Sequence, residues 1–135
     1  MFKPESNFQH QLVRVGVANS TTVTKGDAMV DNGSGYLTTA SAGGNVDIHY
    51  VAMETVTTTA DGQLVLMCRT DGVTFVADTD ANPAQTDVGT EADLAAAGQV
   101  DPDASTDDIF YIEAIVGAVG DKKVRGHFMR GVPNS

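Results

Sequence analysis

Polar and apolar residues alternate with a period of two along much of this sequence, and turn-forming residues separate the alternating segments. The clearest turn is Asn32-Gly33-Ser34-Gly35, between the short segments 28–30 and 36–40. Asn-Gly and Gly supply the positive φ angles that a tight hairpin requires. Because alternation of this kind places one face of each strand on a core, the pattern predicts short antiparallel β-strands.

Further segments extend the same pattern along the chain. The segment 8–17 places Val13, Val15 and Val17 on one face, and Asp71-Gly72 and Gly120-Asp121 are predicted to close two further hairpins. Helical periodicity is weak, and about eight strands predict an all-β fold, either a small antiparallel β-barrel or a β-sandwich. The predicted strand segments are 8–17, 28–30, 36–40, 46–56, 63–70, 73–79, 108–119 and 122–131.

Two regions lack a clear strand pattern. Residues 1–7 contain Pro4 and predict an extended N-terminal arm, ordered only if something holds it, with a frayed terminus as the alternative. Residues 80–106 are rich in Asp, Ala, Gly and Thr, and we expect an acidic loop with short strand or turn pieces. Within it, 87–89 and 92–100 are possible strand or turn pieces, and 91–98 is as compatible with one or two helical turns ending at Gly98 as with a non-helical conformation. At 135 residues, we expect one domain, with residues 8–135 forming the β unit.

Charge and hydropathy exclude several kinds of partner. The formal net charge is -10, and no Lys or Arg occurs between Asp71 and Glu113. A surface of this sign repels phosphate, so nucleic acid is not expected as a partner. No apolar run approaches the roughly 20 residues that span a bilayer, so a membrane is not expected either.

Candidate catalytic side chains are few. His10, His49 and His127 lie on three separate segments, where edge or surface positions are a simpler explanation than a shared metal. Cys68 lies in an apolar segment, and a thiol in that setting usually packs as a small hydrophobic group. We therefore expect no catalytic residue, no metal and no cofactor.

The acidic and glycine-rich segments give no stronger signal for a ligand. Asp78 and Asp80, and the group at 101–108, could gather oxygen ligands for Ca²⁺, but neither has the full spacing of a calcium loop. Gly33 and Gly35 lack the strand, helix and Lys context of a phosphate-binding loop. The absence of Trp and an aromatic content of 6% leave no stacking platform for sugars or single-stranded nucleic acid.

Two segments resemble a known family. Residues 23–56 contain a Gly-Asp-apolar strand, a Gly-Tyr-Leu strand, an Ala-Gly-Gly turn and a strand ending in Ala-x-Glu. This order is similar to the front half of the small head proteins of tailed bacteriophages, and 110–128 resembles their closing hairpin. The resemblance implies a decoration, or cement, protein on the outer surface of the virion, bound to the major capsid protein and self-associated, with a trimer as one possibility.

The same resemblance suggests which residues contact the capsid. The N-terminal arm and first strand offer apolar groups for burial, and the basic cluster near the C-terminus could face an acidic capsid patch or simply be a solvated hairpin tip. The candidate contact residues are Phe2, Lys3, Phe8, Leu12, Arg14, Lys122, Lys123 and Arg125.

Other functions stay open at this point. A soluble, adhesin-like or calcium-assisted binding module would show a Ca²⁺-dependent stability that requires Asp101 and Asp103. A tail or neck component would use the same kind of surface in fewer copies. A small hydrolase would require Cys68 or His49 for activity.

Overall fold

The computed structural model describes residues 1–5, 7–42 and 47–130. These residues form thirteen β-strands and three single-turn 3-10 helices, at Gln9–Gln11, Gln85–Asp87 and Val119–Asp121, so the predicted all-β class is confirmed. No helix in this part of the chain is long and apolar enough to cross a membrane. The strands are β1 (Phe2–Pro4), β2 (Leu12–Val17), β3 (Thr22–Val23), β4 (Ala28–Asp31), β5 (Leu37–Thr39), β6 (Tyr50–Ala52), β7 (Val56–Thr57), β8 (Gln63–Arg69), β9 (Phe75–Thr79), β10 (Glu91–Ala96), β11 (Gln99–Asp101), β12 (Phe110–Ile115) and β13 (Lys123–Phe128).

The first half of the chain closes into a five-stranded barrel. Its strand order is β2-β5-β4-β6-β8, and β2 pairs with β8 over six residues, from Leu12 opposite Cys68 to Val17 opposite Gln63. Because side chains alternate along a strand, one face of each strand fills the barrel. The buried residues of this core are Val17, Val23, Met29, Leu37, Ala52, Val65 and Met67.

The second half of the chain, together with β1, forms a six-stranded sheet that also returns on itself. One edge of β9 pairs with β13, while its other edge pairs first with β1 and then with β11. Because β11 pairs with β10, β10 with β12, and β12 with β13, the five strands β9, β11, β10, β12 and β13 form a closed ring, which we call the second ring. Its core is larger and more aromatic, and it includes Phe2, Phe75, Phe110 and Phe128.

The two halves share this larger core. Ala28, Val51 and Cys68 are buried in it, whereas their neighbours Met29, Ala52 and Met67 fill the first barrel. Barrel strands β4 and β6 and the end of β8 around Cys68 are therefore covered on both faces, whereas Leu64 near the start of β8 is exposed.

Two predicted hairpins are confirmed. In the first, β4 pairs antiparallel with β5, and Asp31 Oδ1 and Asn32 Oδ1 accept hydrogen bonds from Gly33 N and Ser34 N at 2.6 and 2.8 Å. Gly33 has φ +89°, a conformation that side chains with a Cβ rarely adopt. The second is the closing hairpin, in which β12 pairs antiparallel with β13 and lies between β10 and β13.

One predicted hairpin was wrong. The segments 63–70 and 73–79 do not pair with each other, because β8 pairs within the barrel and β9 within the second ring. Of the two alternatives for 91–98, the structure has the non-helical one: Ala92, Asp93 and Leu94 are all buried in β10, so tertiary packing outweighs the helix propensity of its alanines. The strand pieces expected within 80–106 are present as β10 and β11. Part of the predicted strand 46–56 falls on Val46, outside the described residues.

The N-terminal segment is extended, as predicted, but it is not a free arm. Phe2, Lys3 and Pro4 pair antiparallel with Ala77, Val76 and Phe75 of β9. Phe2 N also donates to Gly26 O of the first barrel at 2.8 Å. Phe2, one of the predicted capsid-contact residues, is 1% exposed and its ring packs inside its own chain, while a capsid contact of this strand stays a prediction.

Candidate docking surfaces

An aromatic cluster fixes β1 in place. The Phe2 ring lies 4.8 Å from the Phe128 ring and 5.6 Å from the Phe110 ring, between centroids. Phe128 in turn makes edge contacts with Phe75 and Phe110. Tilted and edge-on arrangements at these distances are favourable for aromatic rings, so the cluster anchors the first strand to the second ring.

Ion pairs surround the same strand. Asp78 accepts from Lys123 Nζ at 2.5 Å and from the N-terminal ammonium at 3.0 Å, and that ammonium also donates to Gly98 O. Arg125 Nε donates to Glu5 Oε1 at 2.5 Å. Burial alone would raise the pKa of the Asp78 carboxyl, but the hydrogen bonds and charges of Lys123 and the ammonium outweigh burial and hold the pKa below its usual range.

An open groove of about 610 Å³ follows one side of β1. We call it the N-terminal groove. Its floor is apolar, with Pro4, Phe8 and Val76, and its rim is charged. A smaller hollow of about 160 Å³ shares Lys3, Pro4 and Phe8 with it and extends to Lys25 and Met53. The residues lining the N-terminal groove are Met1, Lys3, Pro4, Glu5, Phe8, Val76, Asp78 and Lys123.

The groove concentrates positive charge in an acidic protein. Half of the chain's eight Lys and Arg residues surround it, since Lys3, Lys25 and Lys123 line the two hollows and Arg125 binds the lining residue Glu5. Only two acidic residues, Glu5 and Asp78, line the same hollows. Because both are already paired with cations, Lys3 and Lys25 remain available to an acidic partner.

A second exposed surface lies on the outside of the first barrel. Leu64 and Leu12 are 59% and 37% exposed, and the outward side of β2 and β8 also carries Arg14 and Leu66, which are opposite each other in the register. Arg14 lies 3.7 Å from Glu54 Oε1, which also accepts a hydrogen bond from Leu66 N. We call this surface the leucine face.

The structure divides the predicted contact residues between these places. Lys3, Phe8, Lys123 and Arg125 come together at the N-terminal groove. Lys122 is an exposed residue at the end of a 3-10 helix, next to Lys123. Leu12 and Arg14 lie on the leucine face, and Phe2 is buried.

Sequence reasoning missed part of the groove. Lys25, Met53 and Val76 line the two hollows, but each lies on a different segment of the chain. No local pattern could link these three residues, because Val76 meets β1 through the β1–β9 pairing, whereas Lys25 and Met53 meet it from the first barrel, next to the Phe2 N to Gly26 O hydrogen bond.

The candidate catalytic and metal-binding side chains do not form a site with each other. Cys68 is buried, and burial raises the pKa of its thiol to about 11. His127 Nδ1 lies 2.9 Å from Glu113 Oε2, and its ring stacks on Tyr111. Among the described residues, no group of three His, Cys, Asp or Glu side chains is placed to hold a metal ion.

The acidic region uses one carboxylate for structure. Asp93 is 5% exposed, and its two oxygens accept hydrogen bonds from the backbone N–H groups of Thr106, Asp107 and Asp108 at 3.1, 2.7 and 3.0 Å. This buried carboxylate orders the loop that follows β11. The nearby Asp101 accepts from Asp103 N at 3.0 Å, which is a local turn contact.

Comparisons with known proteins found no relative: no protein-family model, no curated protein and no solved structure matches the chain.

Proposed function

We propose that this protein is a decoration protein of a tailed-bacteriophage head, which binds the outside of the capsid and stabilises it. The proposal starts from the resemblance of residues 23–56 and 110–128 to that family. The observation that carries it further is the N-terminal groove, an apolar floor with a basic rim on a protein of net charge -10.

The groove has the composition of a protein-docking surface. Its floor offers the half-buried Phe8 and Val76 for burial, and its rim offers Lys3 without an ion-pair partner among the described residues. A specific protein interface typically buries about 800 Å² per partner, so the groove would form only the centre of such a contact. Complementary charge around that centre speeds encounter and selects the partner.

The mechanism is thermodynamic linkage. A protein that binds the mature shell and not its disrupted state lowers the free energy of the intact shell by an amount set by its affinity and concentration. Many equivalent copies on a symmetric lattice repeat this gain. No chemical step is needed, because the first barrel and the second ring only have to present the N-terminal groove to the shell.

The test is co-sedimentation of the purified protein with purified, undecorated shells of the phage that encodes it. Wild-type protein should bind saturably, and Lys3→Glu should weaken binding by about tenfold, because it replaces attraction by repulsion at the rim. Arg14→Glu makes the same change in charge on the leucine face and should weaken binding much less. Both residues are exposed, so both variants should fold.

Each other outcome has a distinct meaning. Loss of binding in Arg14→Glu alone would move the contact to the leucine face. Equal binding by all three proteins would refute the groove as the contact. Absence of wild-type binding to shells would refute the decoration role.

A further inference from the structure

A second group of basic side chains lies at one end of the first barrel. Because β6 and β8 are antiparallel, the first residue of β6, Tyr50, lies opposite the last residue of β8, Arg69. These two residues, with His49, Asp71 and Arg130, line a pocket of about 370 Å³. We call it the barrel-end pocket.

Arg130 is held rigidly in this pocket. Its Nη1 donates to Ile48 O at 3.0 Å, and its Nη2 donates to Thr70 Oγ1 at 2.6 Å. Thr70 is itself 3% exposed and donates to Ile48 O at 2.6 Å. The guanidinium is therefore fixed before any ligand arrives, which lowers the entropic cost of binding.

Arg130 also fixes the tautomer of His49. Its Nη1 lies 3.1 Å from His49 Nδ1, and because a guanidinium can only donate, Nδ1 must accept. The ring proton of a neutral His49 then lies on Nε2, and this N–H is a donor on an exposed side chain. The pocket thus gains a second oriented donor.

Arg69 supplies a third donor group to the barrel-end pocket. Its side chain is exposed and makes no hydrogen bond or ion pair with any described residue. With the phenol of Tyr50, the pocket presents two guanidiniums, an imidazole N–H and a hydroxyl. The one opposing group is Asp71, which is 82% exposed and lies 3.7 Å from Arg130 Nε.

We propose that the barrel-end pocket binds a small oxyanion of the phosphate or carboxylate type. Donors outnumber acceptors among its lining side chains. The guanidinium of Arg69 matches the geometry of both anions, and Arg130 contributes its charge and the one Nη2 N–H that its protein contacts leave over. This inference is independent of the proposed capsid role, because none of its five residues lines the N-terminal groove.

The experiment is an NMR titration of the full chain at neutral pH, with inorganic phosphate and, separately, acetate, at constant ionic strength. The signals followed are the Arg69 and Arg130 side-chain N–H groups and the His49 ring. We expect saturable shifts confined to these groups. Tighter binding of phosphate would identify the ligand as a phosphate-type anion, and tighter binding of acetate would identify it as a small carboxylate.

Two variants test the assignment in opposite directions. Arg69→Gln should weaken binding roughly tenfold, because the amide can still donate a hydrogen bond but loses the charge that strengthens it. Asp71→Asn should strengthen binding severalfold, because it removes the competing carboxylate. Arg14→Gln, which changes a cation on the leucine face, is the matched control and should leave the affinity unchanged.

The proposal is overturned if the shifts rise linearly without saturation, or if Arg69→Gln binds phosphate and acetate as wild type does. Both variants change exposed side chains, so an unchanged amide spectrum elsewhere will show that they fold.

Discussion

Replacing Phe2 by Ala tests whether the first residues are part of the fold. Phe2 is 1% exposed and contacts the rings of Phe110 and Phe128. Removal of a buried Phe ring usually costs about 3–5 kcal/mol. Because β1 has only three residues and can detach when its anchor is lost, we expect the low end, about 3 kcal/mol.

This loss can be converted to a melting temperature. An unfolding entropy of about 2.1 cal/mol/K per residue gives, for a chain of 135 residues, a shift of roughly 3.5 °C per kcal/mol. Phe2→Ala should therefore lower Tm by roughly 10 °C, measured by calorimetry or circular dichroism. The matched control is Phe8→Ala, which removes a ring of the same size that is only half-buried. It should lower Tm by about a third of the shift seen for Phe2→Ala.

Hydrogen exchange gives a local readout for the same variant. The Asp78 amide donates to Met1 O at 3.2 Å, so its exchange should accelerate when β1 detaches. A Tm shift for Phe2→Ala no larger than that for Phe8→Ala, with unchanged exchange at Asp78, would refute the account of β1 as an integral strand.

Three further predictions concern ionisable groups. Asp93→Asn should cost about 1–3 kcal/mol and increase proteolysis at 101–108, because an amide offers one acceptor oxygen where three backbone donors now share two; unchanged proteolysis would contradict this role. Cys68 should react with a thiol reagent at pH 8 only after denaturation, and stability should fall as pH rises from about 9 toward 11, since the unfolded thiol ionises first; rapid labelling of the native protein would contradict its burial. Wild type should be more stable than Asp78→Asn by a constant amount above about pH 5, and this difference should fade as pH falls below about 4, because the folded pKa of Asp78 is lowered. The carboxyl is about a third exposed, so the difference in stability should be small. A difference that grows as the pH falls would contradict the ion pairs.

Local parts of the fold could be predicted from the sequence. The β4–β5 hairpin follows from the Asn32-Gly33-Ser34-Gly35 turn, in which Gly33 and Gly35 have the positive φ angles that were expected. The β12–β13 hairpin follows from two adjacent apolar segments separated by a short turn. Both pairings join neighbours in sequence, so the signal and the structure lie in the same window.

The errors came from pairings between distant segments. Asp71-Gly72 has the composition of a hairpin turn, and Gly72 has φ +70°, but the chain passes there from the barrel to the second ring. The local sequence does not distinguish a turn that joins two paired strands from a turn that joins strands of two different sheets. The β1–β9 pairing joins residues more than 70 positions apart and carries no local signal.

The candidate site was only partly predictable for the same reason. Lys3 and Lys123 were each identified as basic residues near a terminus, but their shared groove depends on the sequence of pairings from β1 through β9 to β13. The barrel-end pocket depends on Arg130 reaching Ile48 and Thr70, which the sequence places far apart.

The copy number of this chain in purified virions tests the central claim most directly. The proposal of a decoration protein predicts, by quantitative mass spectrometry of those virions, a ratio to the major capsid protein near one, or a simple fraction set by the lattice. A handful of copies per particle would place the protein in the tail or neck, and its absence from virions would contradict the decoration role.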